Sequence, residues 1–404
     1  MNKALCLLNH GPEFRYLDVL KQSNQYDEIC ILISKRILDV IEPNEIKGYK
    51  IFVLPDKKNN FRIKWALFLT NLCDEFAKKT NLKNGIQSFS YSKKNVKSKQ
   101  HKVLIYSKFI NIFISLFIKP LFWITKKSGV YLYQDNQLLQ LINETQCQTM
   151  IAFEHLGGVD YQMYNGKNAG LTILYYLNNQ KDLTIRPYAP LMADQFFIWY
   201  ESQKKLMIDI ERSYFKSHAM GVFRLQNHLK KPSINPENKI FNLLYSCSDP
   251  RRRPYELQTL KKLAQLIQRT KLEIKLQIRL NPMYSSGVFL ELTEFPFVSI
   301  LENKWLWNEK LFVNIPTTQS DLHYFNQISN ADCIMSLPST TLIEAVLFNK
   351  KTICLIDINS PDYLIECQEL KMVVPTEILE HQDFQIVENL NQTTLNSIVC
   401  TTSS

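Results

Sequence analysis

No two of the nine cysteines in this 404-residue chain stand in a CxxC or Cys/His arrangement at metal-ligand spacing. Cys6, Cys30, Cys73, Cys147, Cys247, Cys333, Cys354, Cys367 and Cys400 are scattered and odd in number. They build neither a disulfide framework nor a zinc module, and reduced thiols in a cytosolic protein are expected. Also missing is an uninterrupted apolar run of the ~20 residues a bilayer requires. The nearest approach, Phe109 to Ile124, is broken by Lys119 and Pro120, and reads either as a core helix or as an interfacial helix anchored by Trp123 and flanking lysines. Met1-Asn2-Lys3 leads straight into the strand-like Ala4-Leu8, which has neither the length of a signal h-region nor a small-residue cleavage site, so export by that route is not expected. There is no internal repeat, no low-complexity tract and no recognisable RRM, helix-turn-helix or zinc module. These absences speak against a filament, a tail and a nucleic-acid partner.

What remains has the composition of an ordinary soluble globular protein, 45% apolar and 21% charged. The length exceeds one hydrophobic core, since single cores stop growing at roughly 250 to 300 residues, and so predicts two domains. The formal charge of +10 calls for an anionic partner: nucleic acid, anionic lipid or phosphate on a small ligand. It is densest between Lys93 and Lys127, where SKKNVKSKQHK leads into YSKFINIFISLFIKPLFWITKK.

Short buried runs alternate with helix-length segments along the whole chain. Ala4-Leu8, Ile29-Ile33, Ile51-Leu54, Thr149-Phe153, Leu171-Leu177, Ala193-Trp199 and Ser217-Val222 read as strands, and Lys64-Lys79, Gln134-Gln146 and Glu201-Asp209 as helices. After a polar stretch with Pro232 and Pro236 the pattern restarts, which places a linker at about 226 to 238 and domains at 1–230 and 231–404. The second half gives strands at Ile240-Ser246, Leu272-Leu280, Cys333-Ser336 and Thr352-Ile356, and helices at Tyr255-Arg269, Leu322-Asn330 and Thr341-Phe348. Such alternation predicts an α/β protein with helices covering mostly parallel sheets.

Three strand ends in the second half are polar. Ser336-Leu337-Pro338-Ser339-Thr340-Thr341-Leu342-Ile343-Glu344 is a strand, a tight turn and a helix start, where free N–H groups, the helix dipole and the hydroxyls of Ser336, Ser339, Thr340 and Thr341 suit an anion. The same residues fit a T-x-x-E capping box in which Thr341 and Glu344 satisfy each other; in the ligand reading Glu344 instead faces ribose hydroxyls. Arg279 leaves an apolar strand just before Asn281-Pro282, placed either to pair with a carboxylate or to grip a phosphate. Ser246 and Ser248 precede three consecutive arginines, Arg251 to Arg253, which are a ligand clamp or a solvated charge run. In the first half, polar strand ends offer His10, Glu13, Glu154, His155 and Asp160 as a base, with Glu154 and His155 favoured because Gly157 and Gly158 let an acceptor approach the backbone.

Arg279-Leu280-Asn281-Pro282, followed some fifty residues later by Ala331-Asp332 and Pro338 to Ala345, resembles the donor half of GT-B glycosyltransferases of bacterial capsule and lipopolysaccharide biosynthesis, the sialyltransferase-like and Kdo-transferase-like families and their polyglycerol-phosphate transferase relatives. The resemblance implies two Rossmann-like domains. It implies a nucleotide-sugar donor, a CMP-sugar first, held by Ser246, Ser248, Arg279, Asn281, Ser336, Ser339, Thr340, Thr341 and Glu344. The acceptor would be a glycan or lipid-linked glycan at the inner face of the membrane, which the protein contacts peripherally, and neither metal nor cofactor is implied. A nucleotide-sugar epimerase of the same fold and a non-catalytic glycan-assembly protein are the alternatives. The family has histidine where this chain has Asn281, which keeps a hydrogen bond but no charge, and the D/E-D/E-G motif of the sialyltransferase-like branch is not evident.

Overall fold

The protein is described from a computed structural model covering residues 2–9, 11–55, 61–83, 108–153, 159–178, 192–206, 216–226, 228–229, 240–248, 253–270, 272–284, 287–301, 303–308, 313–358 and 363–400. It divides into two compact units, Met1–Phe223 and Arg224–Ser404. The division falls just ahead of the 226–238 stretch expected as a linker, because Arg224 is bonded to Glu344 and so belongs with the second unit.

In the first unit the strands are β1 (Lys3–Leu8), β2 (Glu28–Ser34), β3 (Lys50–Leu54), β4 (Thr149–Ala152), β5 (Thr172–Tyr176), β6 (Gln195–Ile198) and β7 (Lys216–Ala219). They form one parallel sheet in the order β3-β2-β1-β4-β5-β6-β7. β1 is buried on both faces from Ala4 to Leu8, as a central parallel strand must be when helices cover both sides. The helices are α1 (Arg15–Gln22), α2 (Phe61–Lys83), α3 (Lys108–Leu132), α4 (Asn136–Thr145) and α5 (Asp160–Asn168). α4 starts where Asp135 accepts from the N–H groups of Gln137 and Leu138, and ends at Gln146 in the left-handed conformation. Two expectations change. The segment from Glu201 is a 3-10 helix as far as Leu206, with 207–215 outside the described residues, and α5 is a buried helix where the sequence reading placed no element, because its polar sequence lacks an apolar stripe.

The second unit has β8 (Phe241–Ser246), β9 (Ile274–Arg279), β10 (Val298–Leu301), β11 (Leu306–Asn308), β12 (Val313–Ile315), β13 (Cys333–Ser336), β14 (Lys351–Leu355) and β15 (Phe384–Val387). Six of these make a parallel sheet, β10-β9-β8-β13-β14-β15, while β11 and β12 pair antiparallel. Its helices are α6 (Arg253–Arg269), α7 (Thr318–Asn330), α8 (Thr341–Leu347), α9 (Tyr363–Val373) and α10 (Gln392–Cys400). Leu260, Leu263 and Ile267 of α6, with Leu395 and Ile398 of α10, pack on Leu276, Ile278 and Met335 of the sheet to form the core. Each unit is a Rossmann-like α/β domain, as the alternation of runs predicts.

Candidate functional site

Strand order marks out a candidate site in the second unit. From β8 the chain builds outward through β9 to β10, then returns to the other side of β8 and builds through β13, β14 and β15. The order reverses between β8 and β13, and ligands of open parallel sheets bind outside the carboxyl ends of strands at such a reversal. The last residues of β8 and β13 are Ser246 and Ser336, which lie directly opposite each other, and Ser246 is opposite Arg279 on β9. Three polar strand ends that are far apart in sequence therefore form a single lateral row, Arg279–Ser246–Ser336, about 10 Å long at ordinary strand spacing.

The hydroxyls beyond this row are tied together. Ser336 Oγ donates to the Ser246 carbonyl at 2.9 Å and lies 2.9 Å from Ser339 Oγ, and Ser246 Oγ donates to Thr341 Oγ1 at 3.4 Å. Ser336 and Thr341 are buried, whereas Ser339 and Thr340 are partly exposed at the rim. The T-x-x-E capping box does not form: α8 begins at Thr341 itself, and Thr340 occupies the cap position in right-handed helical conformation without a side-chain cap bond. Glu344 instead turns its carboxylate to Arg224, whose terminal nitrogen donates at 2.8 Å and Nε at 3.3 Å, and to the Tyr324 hydroxyl.

Tyr324, on α7, connects the two halves of the row. Its hydroxyl reaches Glu344 and lies 3.4 Å from Thr341 Oγ1, while its ring centroid lies 4.0 Å from the Arg279 guanidinium carbon. Trp305 lies on the same cation at 5.7 Å. Arg279 thus lies in the corner formed by two aromatic rings and is only 6% exposed. Burial, and then the neighbouring Glu344 charge, push the Tyr324 phenol well above its ordinary range, so it stays a hydrogen-bond donor. Asn281 is part of the turn beyond β9: its Oδ1 accepts from the Met283 N–H at 3.0 Å, and its carbonyl from the Tyr284 N–H at 2.9 Å. The Ser248 N–H donates at 2.8 Å to Glu256, a buried carboxylate that also receives the Tyr245 and Tyr284 hydroxyls. Burial raises the Glu256 pKa above the usual carboxylate range, and the hydrogen bonds oppose it. Arg251 and Arg252 lie outside the described residues.

In the first unit the strand order reverses between β1 and β4. Glu13 follows β1 in a 3-10 helix, Gly11–Phe14, and is fully buried; Asp160 opens α5 after β4 and is also buried. His10, Glu154 and His155, with the glycines that favoured them, lie outside the described residues. Sequence reading missed Arg224, Trp305, Tyr324 and Glu256. Tyr324 sits inside an apolar helical pattern and reads as core, Glu256 begins a basic amphipathic helix, and nothing in the chain marks Arg224 as the partner of a carboxylate 120 residues away.

No sequence family matches the chain. No curated protein is similar to it. Solved structures are. UDP-GlcNAc 2-epimerase from Neisseria meningitidis, bound to UDP-GlcNAc, matches with a TM-score of 0.55 at 11% identity over 99% of this chain and 91% of that one. A putative UDP-N-acetylglucosamine 2-epimerase from Listeria monocytogenes matches with a TM-score of 0.54 at 9% identity, over 99% and 87%. A glycosyltransferase from Rickettsia africae gives 0.48 at 9% identity, over 100% and 88%. The fold is GT-B. At such identities the likeness concerns the fold, and the chemistry rests on the residues themselves.

Those residues suit a phosphorylated ligand. Arg279 offers a fixed cation, and Ser339 and Thr340 offer hydroxyl donors at the rim of a buried row, at the carboxyl ends of parallel strands. Among the described residues there is no group of three or more His, Cys, Asp or Glu side chains that could hold a metal.

Proposed function

We propose that this protein is a glycosyltransferase that moves a sugar from a nucleotide-activated donor to a surface glycan acceptor. The observation that carries the reading is the row Arg279–Ser246–Ser336 at the strand-order reversal of the second sheet. In this reading the donor phosphates lie against Arg279 and the Ser339–Thr341 turn, with Ser248 and Asn281 at the neighbouring strand ends. Glu344, already bonded to Arg224 and Tyr324, turns its remaining lone pairs to ribose hydroxyls. The acceptor hydroxyl forms a bond to the anomeric carbon as the bond to the donor phosphate breaks. The electron pair leaves with the nucleotide, where Arg279 and the turn stabilise the charge that develops. If the transfer inverts, a base takes the hydroxyl proton, with Glu13, Glu154 and His155 as candidates. A cytoplasmic setting at the inner membrane face fits the scattered thiols and the basic 93–127 stretch.

A second reading is a nucleotide-sugar epimerase, favoured by the matches above a TM-score of 0.5 to UDP-GlcNAc 2-epimerases. It needs no acceptor. Incubation of the purified chain with CMP-, CDP- and UDP-linked sugars, with and without a glycan acceptor, separates the two by product. Transfer that depends on acceptor is the expected outcome. An altered sugar without acceptor favours the epimerase, and no turnover of any donor contradicts both enzymatic readings.

A further inference from the structure

In α2 the buried positions Ile63, Ala66, Leu69 and Cys73 already supply the stripe that faces the core. The opposite side is not polar. It carries Phe61, Trp65 and Phe68 at i, i+4 and i+7, exposed to 79%, 46% and 52%, their rings stacked in a row with centroids 6.5 and 5.3 Å apart. α3 packs on α2, where Cys73 Sγ lies 3.2 Å from Thr125 Oγ1 and Thr70 Oγ1 lies 3.4 Å from Tyr133 Oη. On α3, Phe122 and Thr125 are buried, but Trp123, Ile124 and Tyr131 are exposed to 55%, 46% and 71%. Single exposed apolar residues are ordinary on a protein surface; six large ones on two packed helices need an occupant.

The charge around them chooses it. Arg62 and Lys64 are exposed beside the ring row and Lys127 beside Trp123; α3 contains no aspartate or glutamate, and the sequence of α2 sets five lysines and arginines against Asp74 and Glu75. A two-fold contact with a second copy would set these cations against themselves. Among the described residues no helix is long and apolar enough to cross a membrane. Indole and phenyl rings flanked by an excess of cations match the boundary of an anionic bilayer, rings at the level of the headgroups and cations at the phosphates. We propose that the outer face of α2, with α3 packed behind it, docks the chain on an anionic lipid surface, with Phe61, Trp65 and Phe68 as the inserting side chains. The proposal names the lipid partner of the membrane-face setting given above and rests on that reading for its biological context. It moves the weight of the contact from the apolar run at Phe109 to Ile124 onto an aromatic row that the run does not include.

Co-sedimentation of the full chain, without nucleotide, is measured on vesicles of phosphatidylglycerol and of phosphatidylcholine. We expect binding to the former, weakened by salt, and at least about tenfold less to the latter. The combined variant Phe61→Ser, Trp65→Ser and Phe68→Ser changes only exposed side chains, so its melting temperature serves as the folding control. It should lose vesicle binding by about tenfold or more while its nucleotide affinity stays that of the wild type. Equal binding to both lipids, unchanged binding by the variant, or a wild-type dimer that the variant dissolves in place of vesicle binding each overturns the proposal. Since no nucleotide enters the assay, its failure leaves the transferase reading standing, and the reverse also holds.

Discussion

Arg279 would be a mobile charge on an ordinary strand end; here Tyr324 and Trp305 fix its plane, and a fixed guanidinium loses less freedom when it grips an anion. The ring of Tyr324 and its hydroxyl have separable tasks. The ring carries Arg279, and the hydroxyl shares the Glu344 carboxylate with Arg224. We therefore expect Tyr324→Phe to keep nucleotide affinity within about threefold of wild type and Tyr324→Leu to lower it by about tenfold or more, both read by calorimetric titration. Equal losses in the two variants would show that the hydroxyl, not the ring, matters. At this scale much of the candidate site was legible. Arg279, Ser246 and Ser336 stand out because each ends a buried apolar run, where a polar side chain has no reason to be unless the strand end meets a ligand or partner. Tyr324 was not, because its polar atom hides in an apolar helical period.

At the scale of elements, strands were read closely, since both faces of a parallel sheet are buried and leave continuous apolar runs. α8 shows where local rules stop. Thr341 and Glu344 have the spacing of a capping box, but the helix begins one residue too early for Thr341 to cap it, and Glu344 is claimed by a tertiary partner. With both side chains of that pair buried, removing Arg224 would leave a carboxylate without its counter-charge at a cost of about 3–5 kcal/mol. α3 and α5 meet through a close approach that the sequence does not announce. A Cβ on Gly129 would lie 2.3 Å from the ring of Tyr164, which is itself buried and bonded to the Thr125 carbonyl. A glycine in a helix interior normally gains about 1 kcal/mol on change to alanine. Gly129→Ala should reverse that sign and destabilise by about 1–3 kcal/mol, read from urea midpoints; a more stable variant would mean that the ring yields freely.

For the whole molecule, length and the restart of the pattern predict two α/β domains, and the two parallel sheets are there. What composition could not supply was strand order, and strand order converts three isolated polar ends into a row. It depends on long-range pairing that no local period encodes. The first unit has its own reversal between β1 and β4, with Glu13 after β1 and Asp160 after β4, while His10, Glu154 and His155 lie outside the described residues. The central claim, a nucleotide site in the second unit, is tested most directly by calorimetric titration of the full chain with UDP and CMP, beside Arg279→Ala. The account predicts that wild type binds at least one of the two and that the variant, folded by its circular dichroism though with a lower melting temperature, binds it about tenfold or more weakly. Absence of binding to either nucleotide, or an affinity that Arg279→Ala leaves intact, would contradict it.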